Sequence, residues 1–180
     1  MRDHYTQKAR KEGFRARSAY KLLQINQKYR LIKRNDDVLD LGCWPGGWII
    51  AAKKITQGRI VGIDLKQIHP IENIEFIKGD ARQASIEGKF DVVLSDMAPS
   101  TTGMIELDVM RSLELAELAF DVALKKLKNN GNFLVKVFQG EGFEDFLRKV
   151  KKSFKLAKAF KPEASKSKSK EMYIVGLGKV

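Results

Sequence analysis

A glycine-rich turn is the feature of this sequence with the clearest chemical meaning. It follows the short apolar run 38–41 and reads Gly42-Cys43-Trp44-Pro45-Gly46-Gly47-Trp48. Glycines at such a strand-to-helix turn let the chain reverse tightly and let a ligand approach the backbone. The spacing differs from the Gly-x-Gly-x-x-Gly of dinucleotide-binding folds, and Pro45 lacks the amide proton that a phosphate cradle would use. The turn therefore predicts a ligand that is not a phosphate ester, although a turn without any ligand is the alternative.

Three carboxylates follow at the ends of the next predicted strands: Asp64, Asp80 and Asp96. In an open α/β sheet, ligands bind outside the carboxyl ends of the strands, at the point where the strand order reverses. Asp64 is placed to accept hydrogen bonds from ribose hydroxyls, and Asp80 is placed near an adenine amino group. Each one alone is equally compatible with a helix cap or a turn residue. All three in register with the glycine turn favour a nucleoside-binding site.

The elements that must position these residues alternate along the chain. Hydrophobic spacing predicts helices over 17–33, 48–55, 107–128 and 142–152. Strands are predicted over 38–41, 59–64, 74–78, 90–95, 132–138, 154–160 and 172–177. This order indicates an α/β fold with a doubly wound, mostly parallel, seven-stranded sheet. The loop 161–170 has no helical pattern, so the last two strands should form a hairpin with the final strand antiparallel.

The net charge of +12 is concentrated at the two ends of the chain. Residues 1–34 contain eleven Lys or Arg against two Asp or Glu, and residues 145–180 contain eleven against three. The middle, 35–144, contains twelve against seventeen and is slightly acidic. A solvated charged surface is the simpler explanation, but two basic ends around an acidic body favour binding of a nucleic acid.

Length and composition limit the other possibilities. At 180 residues we expect one domain, 1–180, with 1–34 as a basic extension and helix. The single cysteine, Cys43, excludes a disulfide framework. No apolar run is long enough to span a membrane, and residues 1–5 do not resemble a secretory signal, so we expect neither a membrane protein nor a secreted one. We therefore expect a cytoplasmic monomer that needs no metal.

The sequence resembles the FtsJ (RrmJ) family of ribose 2'-O-methyltransferases along nearly its whole length. The resemblance is carried by five segments, which are 17–22 (RSAYKL), 40–48 (DLGCWPGGW), 95–99 (SDMAP), 134–138 (LVKVF) and 167–173 (SKSKEMY). One departure is visible, because the two residues before the proline are commonly small in the family and are Cys43 and Trp44 here. The resemblance implies the Rossmann-like class I methyltransferase fold and S-adenosylmethionine as cofactor. The implied cofactor-binding residues are Gly42, Pro45, Gly46, Gly47, Trp48, Asp64, Asp80 and Asp96.

The resemblance also implies a catalytic Lys-Asp-Lys-Glu tetrad, which this sequence supplies in order as Lys21, Asp96, Lys136 and Glu171. Lys136 lies in an apolar strand, where a charge is costly unless it is paired. It would either remove the proton of a ribose 2'-hydroxyl or orient that hydroxyl for in-line attack. Burial and Lys21 favour the first role, and the two carboxylates favour the second. Surface positions for Lys21 and Glu171, and a strand-edge position for Lys136, are the simpler alternatives.

The implied substrate is RNA, with a uridine ribose of large-subunit ribosomal RNA as the first expectation. Arg10, Arg15, Arg17 and Lys168 are expected to contact its phosphates, which positions a strand without reading its sequence. A methyltransferase for the transfer-RNA anticodon loop is the second expectation. A ribosome-assembly protein without catalytic activity and a nicotinamide oxidoreductase are the alternatives from other classes. An intact tetrad argues against the former, and Pro45 argues against the latter.

Overall fold

The computed structural model describes residues 4–180, apart from the side chain of Arg10. Seven strands form one sheet in the order β3-β2-β1-β4-β5-β7-β6. They are β1 (Val38–Leu41), β2 (Ile60–Asp64), β3 (Glu75–Lys78), β4 (Phe90–Ser95), β5 (Leu127–Phe138), β6 (Phe154–Phe160) and β7 (Glu171–Lys179). The helices are α1 (His4–Lys11), α2 (Ser18–Tyr29), α3 (Gly47–Lys53), α4 (Ile105–Lys126) and α5 (Phe143–Ser153).

The pairing of the strands confirms the predicted α/β fold. β1 pairs in parallel with β2 and β4, and the parallel arrangement continues to β3 on one side and β5 on the other. β7 enters between β5 and β6 and is antiparallel to both. The strand order reverses at β1 and β4, so the glycine turn after β1 and Asp96 after β4 lie side by side at the topological switch point.

Alternating side chains on each strand give the sheet two buried faces. On β4, Val92 and Leu94 pack toward the side covered by α1, α2 and α3, whereas Val93 packs toward α4 and α5. Lys136 shares the first face with Leu134 of the same strand, since they are two residues apart. This parity directs Lys136 toward the layer that contains Lys21 of α2.

The largest differences from the sequence-based prediction are at α1, α2 and β5, and the other boundaries agree within two residues. Helix α1 was not predicted, because it is short and polar, with few apolar side chains to mark a helical face. Helix α2 ends at Tyr29 rather than at residue 33, since Arg30 adopts a left-handed conformation and Asn26 Oδ1 accepts a hydrogen bond from the amide of Ile32. Strand β5 begins at Leu127, which pairs with Phe90 ahead of a register shift, so the predicted helix stop at 129–131 lies within this strand.

No helix in the described part of the chain combines the length and the apolar composition needed to cross a membrane.

Candidate active site

The glycine turn brings the backbone close to neighbouring elements. Gly42 has a φ of 74°, and a Cβ at this position would collide with the side chain of Met97. Gly46 has a φ of 103° at the start of α3, and a Cβ on Gly47 would contact Ala16 and Ser18. Only glycine combines these positive φ values with such close approach. Backbone conformation and close packing are therefore enough to require glycine in this turn. Gly42 also lines the cleft beside Asp96.

Asp40, on β1, is a buried carboxylate with no internal partner. It is 1 % exposed, and neither carboxylate oxygen has a hydrogen-bond partner among residues 4–180. Burial, with the nearby charges of Asp96 and Asp64, raises the pKa of Asp40 well above its ordinary value. The carboxylate lines a small cavity together with Ser18, Gly42, Cys43, Trp44, Gly47, Trp48 and Asp96. An orphaned acid of this kind is suited to a cationic ligand group.

A larger cleft of about 480 Å³ opens beside this cavity at the carboxyl ends of the strands. Its walls include all three predicted carboxylates, Asp64, Asp80 and Asp96, and also Gly42, Trp44 and Met97. A cleft of this size at the switch point of an α/β sheet is typical of a nucleoside-sized ligand.

Two of these carboxylates also organise their own loops. Asp64 accepts hydrogen bonds from the amides of Trp44 (2.9 Å) and Lys66 (2.8 Å). Asp80 accepts one from the amide of Arg82 at 2.9 Å. The turn role that the sequence left open is therefore real, and it accompanies a position on the cleft wall. A carboxylate has about four acceptor sites, so these bonds leave capacity for a ligand.

The four residues of the predicted tetrad lie together as two ion pairs. Lys136 Nζ lies 3.1 Å from Asp96 Oδ1 and 2.6 Å from the Asp96 carbonyl oxygen. Lys21 Nζ lies 2.5 Å from Glu171 Oε1. All four side chains are less than a fifth exposed. Charges this deeply buried are costly, so their pairing beside the cleft marks a candidate functional site rather than a stabilising device.

Tyr173 joins the two ion pairs and was missed by the sequence analysis. Its hydroxyl lies 2.9 Å from Asp96 Oδ1 and 3.1 Å from Glu171 Oε1, so its single proton can bond to either carboxylate. The register of β7 on β5 sets Tyr173 opposite Lys136. Burial, reinforced by these two carboxylates, raises the pKa of Tyr173 well above its ordinary value. The tyrosine therefore acts as a neutral donor that fixes the spacing of the two acids.

Glu171 stays ionised although it is buried. Burial opposes its charge, but the ammonium of Lys21 beside it, aided by Lys136 and a 3.0 Å hydrogen bond from Ser165 Oγ, outweighs that effect. The net result is a pKa of Glu171 below its ordinary value. Ser165 belongs to the loop between β6 and β7, which therefore packs against the site.

Trp48 lies beneath the site rather than in the open cleft. Its side chain is 2 % exposed, and Nε1 donates a hydrogen bond to the carbonyl of Ser18 at 2.9 Å. The ring packs against Tyr173 with a centroid separation of 5.9 Å. Trp48 borders the small cavity near Asp40, where it connects α3 to the helix that carries Lys21.

Two of the basic residues predicted to contact RNA form internal hydrogen bonds. Arg15 donates to the carbonyls of His69 (2.7 Å) and Pro70 (3.0 Å), and more weakly to that of Pro45. Arg17 donates to the carbonyl of Ala164 at 2.5 Å. Lys168 is exposed in the loop between β6 and β7. The side chain of Arg10 lies outside the described residues, so its contact with RNA stays a prediction.

Metal ligands are not assembled in the described part of the chain. Among those residues, no group of three or more His, Cys, Asp or Glu side chains could hold a metal ion.

Comparisons with known proteins show a match to one family over most of the chain. Residues 14–179 match the model of the FtsJ-like methyltransferase family. Two relatives are both named ribosomal RNA large subunit methyltransferase E. The protein from Methanothrix thermoacetophila is 45 % identical over 184 residues, covering 98 % of this chain and 72 % of that protein. The protein from Desulfatibacillum aliphaticivorans is 46 % identical over 188 residues, covering 99 % of this chain and 91 % of that protein.

A solved structure agrees with these sequence matches. The crystal structure of a ribosomal RNA methyltransferase from Plasmodium falciparum has a TM-score of 0.80 and 28 % sequence identity, covering 92 % of this chain and 98 % of that one. The family predicted from the five sequence segments is thus confirmed. The chain belongs to the FtsJ-like methyltransferase family.

Proposed function

We propose that this protein transfers a methyl group from S-adenosylmethionine to a ribose 2'-hydroxyl of RNA, with a uridine of large-subunit ribosomal RNA as the target. The observation that carries the proposal is the pair of buried lysine–carboxylate contacts, joined by Tyr173, at the edge of the cleft. The names of the two relatives support ribosomal RNA as the substrate class.

The residues present suit this cofactor. Asp40 offers an unpaired buried carboxylate to the α-ammonium of the methionine part. Asp64 offers acceptor capacity to the ribose hydroxyls, and Asp80 offers it to the adenine amino group. When bound, the cofactor supplies an electrophilic methyl group on a sulfonium. The glycine turn lets the backbone approach it without side-chain obstruction.

Lys136 is the residue that we place against the substrate hydroxyl. Its ammonium has three N–H groups: one donates a hydrogen bond to the carbonyl of Asp96, and a second can face the Asp96 carboxylate, with which the ammonium forms an ion pair. The third can donate to the 2'-oxygen and aim a lone pair of that oxygen at the methyl group. Positioning of this kind contributes much of the rate in a reaction that needs in-line geometry. We infer that Lys136 orients the hydroxyl in the ground state, because it is already engaged as a donor in an ion pair. Transfer would break the methyl–sulfur bond and release S-adenosylhomocysteine, and the proton of the 2'-hydroxyl would pass to water as the oxygen takes up the methyl group.

Lys21, Glu171 and Tyr173 support that arrangement. Lys21 holds Glu171 at 2.5 Å, and Tyr173 connects Glu171 to the Asp96 carboxylate that fixes Lys136. The rotamers of the reacting groups are therefore set by surrounding bonds before substrate arrives. The target ribose has to leave a regular duplex to reach this buried position, so we expect a loop or a splayed-out nucleotide.

The experiment that tests the proposal is transfer of labelled methyl groups to three substrates: total ribosomal RNA, purified large subunits and transfer RNA. We expect the wild type to label ribosomal RNA, either free or in large subunits, and we expect Lys136→Ala to lose this labelling. Lys158→Ala, which removes an exposed lysine from β6, is the matched control and should label as the wild type does. Preferential labelling of transfer RNA would show that transfer RNA, and not ribosomal RNA, is the substrate. Full activity of Lys136→Ala would show that Lys136 is not the catalytic residue.

A further inference from the structure

The side chain of Trp44 is unusually exposed for an indole. It is 51 % exposed, whereas Trp48, the other tryptophan of the chain, is 2 % exposed. Trp44 lines both the small cavity that contains Asp40 and the larger cleft that contains Asp64 and Asp80. Trp44 thus stands where the two cavities adjoin, beside the site to which we assign the cofactor.

Two contacts hold Trp44 in this position. Its backbone amide donates a hydrogen bond to Asp64 Oδ2 at 2.9 Å. The ammonium of Lys66 lies 4.6 Å from the centroid of its ring, which is within the range of a cation–π contact. An exposed aromatic surface that is positioned in advance is available to a ligand at low entropic cost.

We propose that Trp44 is a cofactor-binding residue whose indole covers the part of S-adenosylmethionine that spans the space between Asp40 and Asp64. This inference rests on the proposed function, because it takes that cofactor as the occupant of the cleft. The ligand's ammonium end at Asp40 and its ribose at Asp64 place the connecting sulfonium segment next to Trp44. A sulfonium carries positive charge, and the face of an indole attracts cations.

The cofactor is a better occupant than an RNA base for a structural reason. Trp44 lines the same cavities as the three acids that we assign to the cofactor, and no basic side chain other than Lys66 and Arg82 lines that cleft among the described residues.

Intrinsic fluorescence tests the contact directly, because Trp44 and Trp48 are the only tryptophans. With excitation at 295 nm, where adenine does not absorb, we expect S-adenosylhomocysteine to change the emission in the absence of RNA. The change should disappear in Trp44→Phe, which keeps an aromatic wall but removes the reporter. An unaltered response in Trp44→Phe would assign the signal to the buried Trp48 and overturn the inference.

Calorimetric binding of S-adenosylmethionine tests the energetic contribution, because S-adenosylhomocysteine lacks the sulfonium charge. We expect Trp44→Ala to raise Kd about tenfold, which corresponds to about 1.4 kcal/mol. Trp44→Phe should keep most of the affinity. Leu156→Ala, which truncates an exposed apolar side chain on β6, is the control for a general surface change and should bind as the wild type does.

Each negative result would contradict either this inference alone or the proposed function as well. If Trp44→Ala binds S-adenosylmethionine normally but binds RNA more weakly, the indole stacks on a base and this inference is wrong while the proposed function stands. If the wild type methylates RNA and Trp44→Ala changes neither affinity, only this inference falls. If the wild type does not bind S-adenosylhomocysteine at all, the proposed function and this inference are both overturned.

Discussion

The hydroxyl of Tyr173 lies 2.9 Å from the Oδ1 atom of Asp96, and this same oxygen lies 3.1 Å from the ammonium of Lys136. One carboxylate oxygen thus links a buried neutral donor on β7 to a buried cation on β5. The link fixes the direction of the Asp96 side chain at the mouth of the cleft. In the proposed reaction Tyr173 would therefore be a positioning residue, since it would act on the substrate only through Asp96 and Lys136.

Removal of this hydroxyl should slow the reaction modestly. For Tyr173→Phe we expect kcat to fall about fivefold, the equivalent of about 1 kcal/mol for one lost hydrogen bond. The Kd for S-adenosylhomocysteine should stay within a factor of two, because the ring and its packing on Trp48 are kept. Single-turnover methylation and calorimetry measure the two quantities. An unchanged kcat with a raised Kd would show that Tyr173 serves cofactor binding instead.

The Lys21–Glu171 pair should make stability depend on pH in acid. The pKa of Glu171 is lowered in the folded protein, so its stabilising contribution is complete above the ordinary value of about 4.5 and is lost as pH falls through the lowered pKa. We expect Glu171→Gln to reduce the free energy of unfolding at pH 7 by about 2 kcal/mol. Urea unfolding between pH 7 and pH 3 should show the two proteins converging. A difference that is constant with pH would contradict the ion-pair interpretation.

Asp40 should affect stability and cofactor binding in opposite directions. Its pKa is raised by burial and by Asp96 and Asp64, so the ionised carboxylate destabilises the fold increasingly as pH rises above about 3.8 toward the raised pKa. The isosteric Asp40→Asn should therefore raise Tm at pH 7 and have little effect below pH 4. It should also weaken binding of S-adenosylhomocysteine.

The same variant distinguishes an effect on the ammonium from a general effect on the site. Methylthioadenosine has the nucleoside and the sulfur but no α-ammonium, so it should bind Asp40→Asn and wild type equally. Equal weakening of both ligands would show that Asp40 supports the cleft rather than the ammonium.

Basic residues near the site should fall into two classes. Arg15 donates hydrogen bonds to the carbonyls of His69 and Pro70 and, more weakly, to that of Pro45 in the glycine turn. Arg15→Ala should therefore lower Tm and weaken cofactor binding at that turn. Lys168 is exposed, so Lys168→Glu should leave Tm unchanged and weaken RNA binding several-fold at low salt. Thermal unfolding and RNA titrations at two salt concentrations measure these effects. A salt-independent loss with Lys168→Glu would contradict a phosphate contact.

Much of this fold could be predicted from the sequence because its strands are short apolar runs separated by clear turn residues. The reversal of β7 followed from the loop 161–170, which is too polar to pack as a crossover helix. Helix α1 could not be predicted, since an eight-residue segment this polar contains too few apolar side chains to mark a buried face. The early start of β5 was also hidden, because it depends on pairing between Leu127 and Phe90.

The site was predictable where chemistry is local and was missed where it depends on register. Spacing identified Asp64, Asp80 and Asp96 as neighbours at strand ends. The role of Tyr173 depends on its position opposite Lys136 across two antiparallel strands, which no local pattern reveals. The isolation of Asp40 is likewise a three-dimensional property, although an acid within the apolar run 38–41 was a signal that could have been followed.

The proposed reaction places the methyl group on a ribose, and alkaline hydrolysis of the labelled RNA distinguishes this position from a base. A 2'-O-methyl group blocks cleavage of the adjacent phosphodiester, so label from large-subunit ribosomal RNA should be recovered in alkali-resistant dinucleotides. Lys136→Ala should give none above background, and Lys158→Ala should give the wild-type amount. Recovery of the wild-type label only in mononucleotides, as methylated bases, would contradict the account.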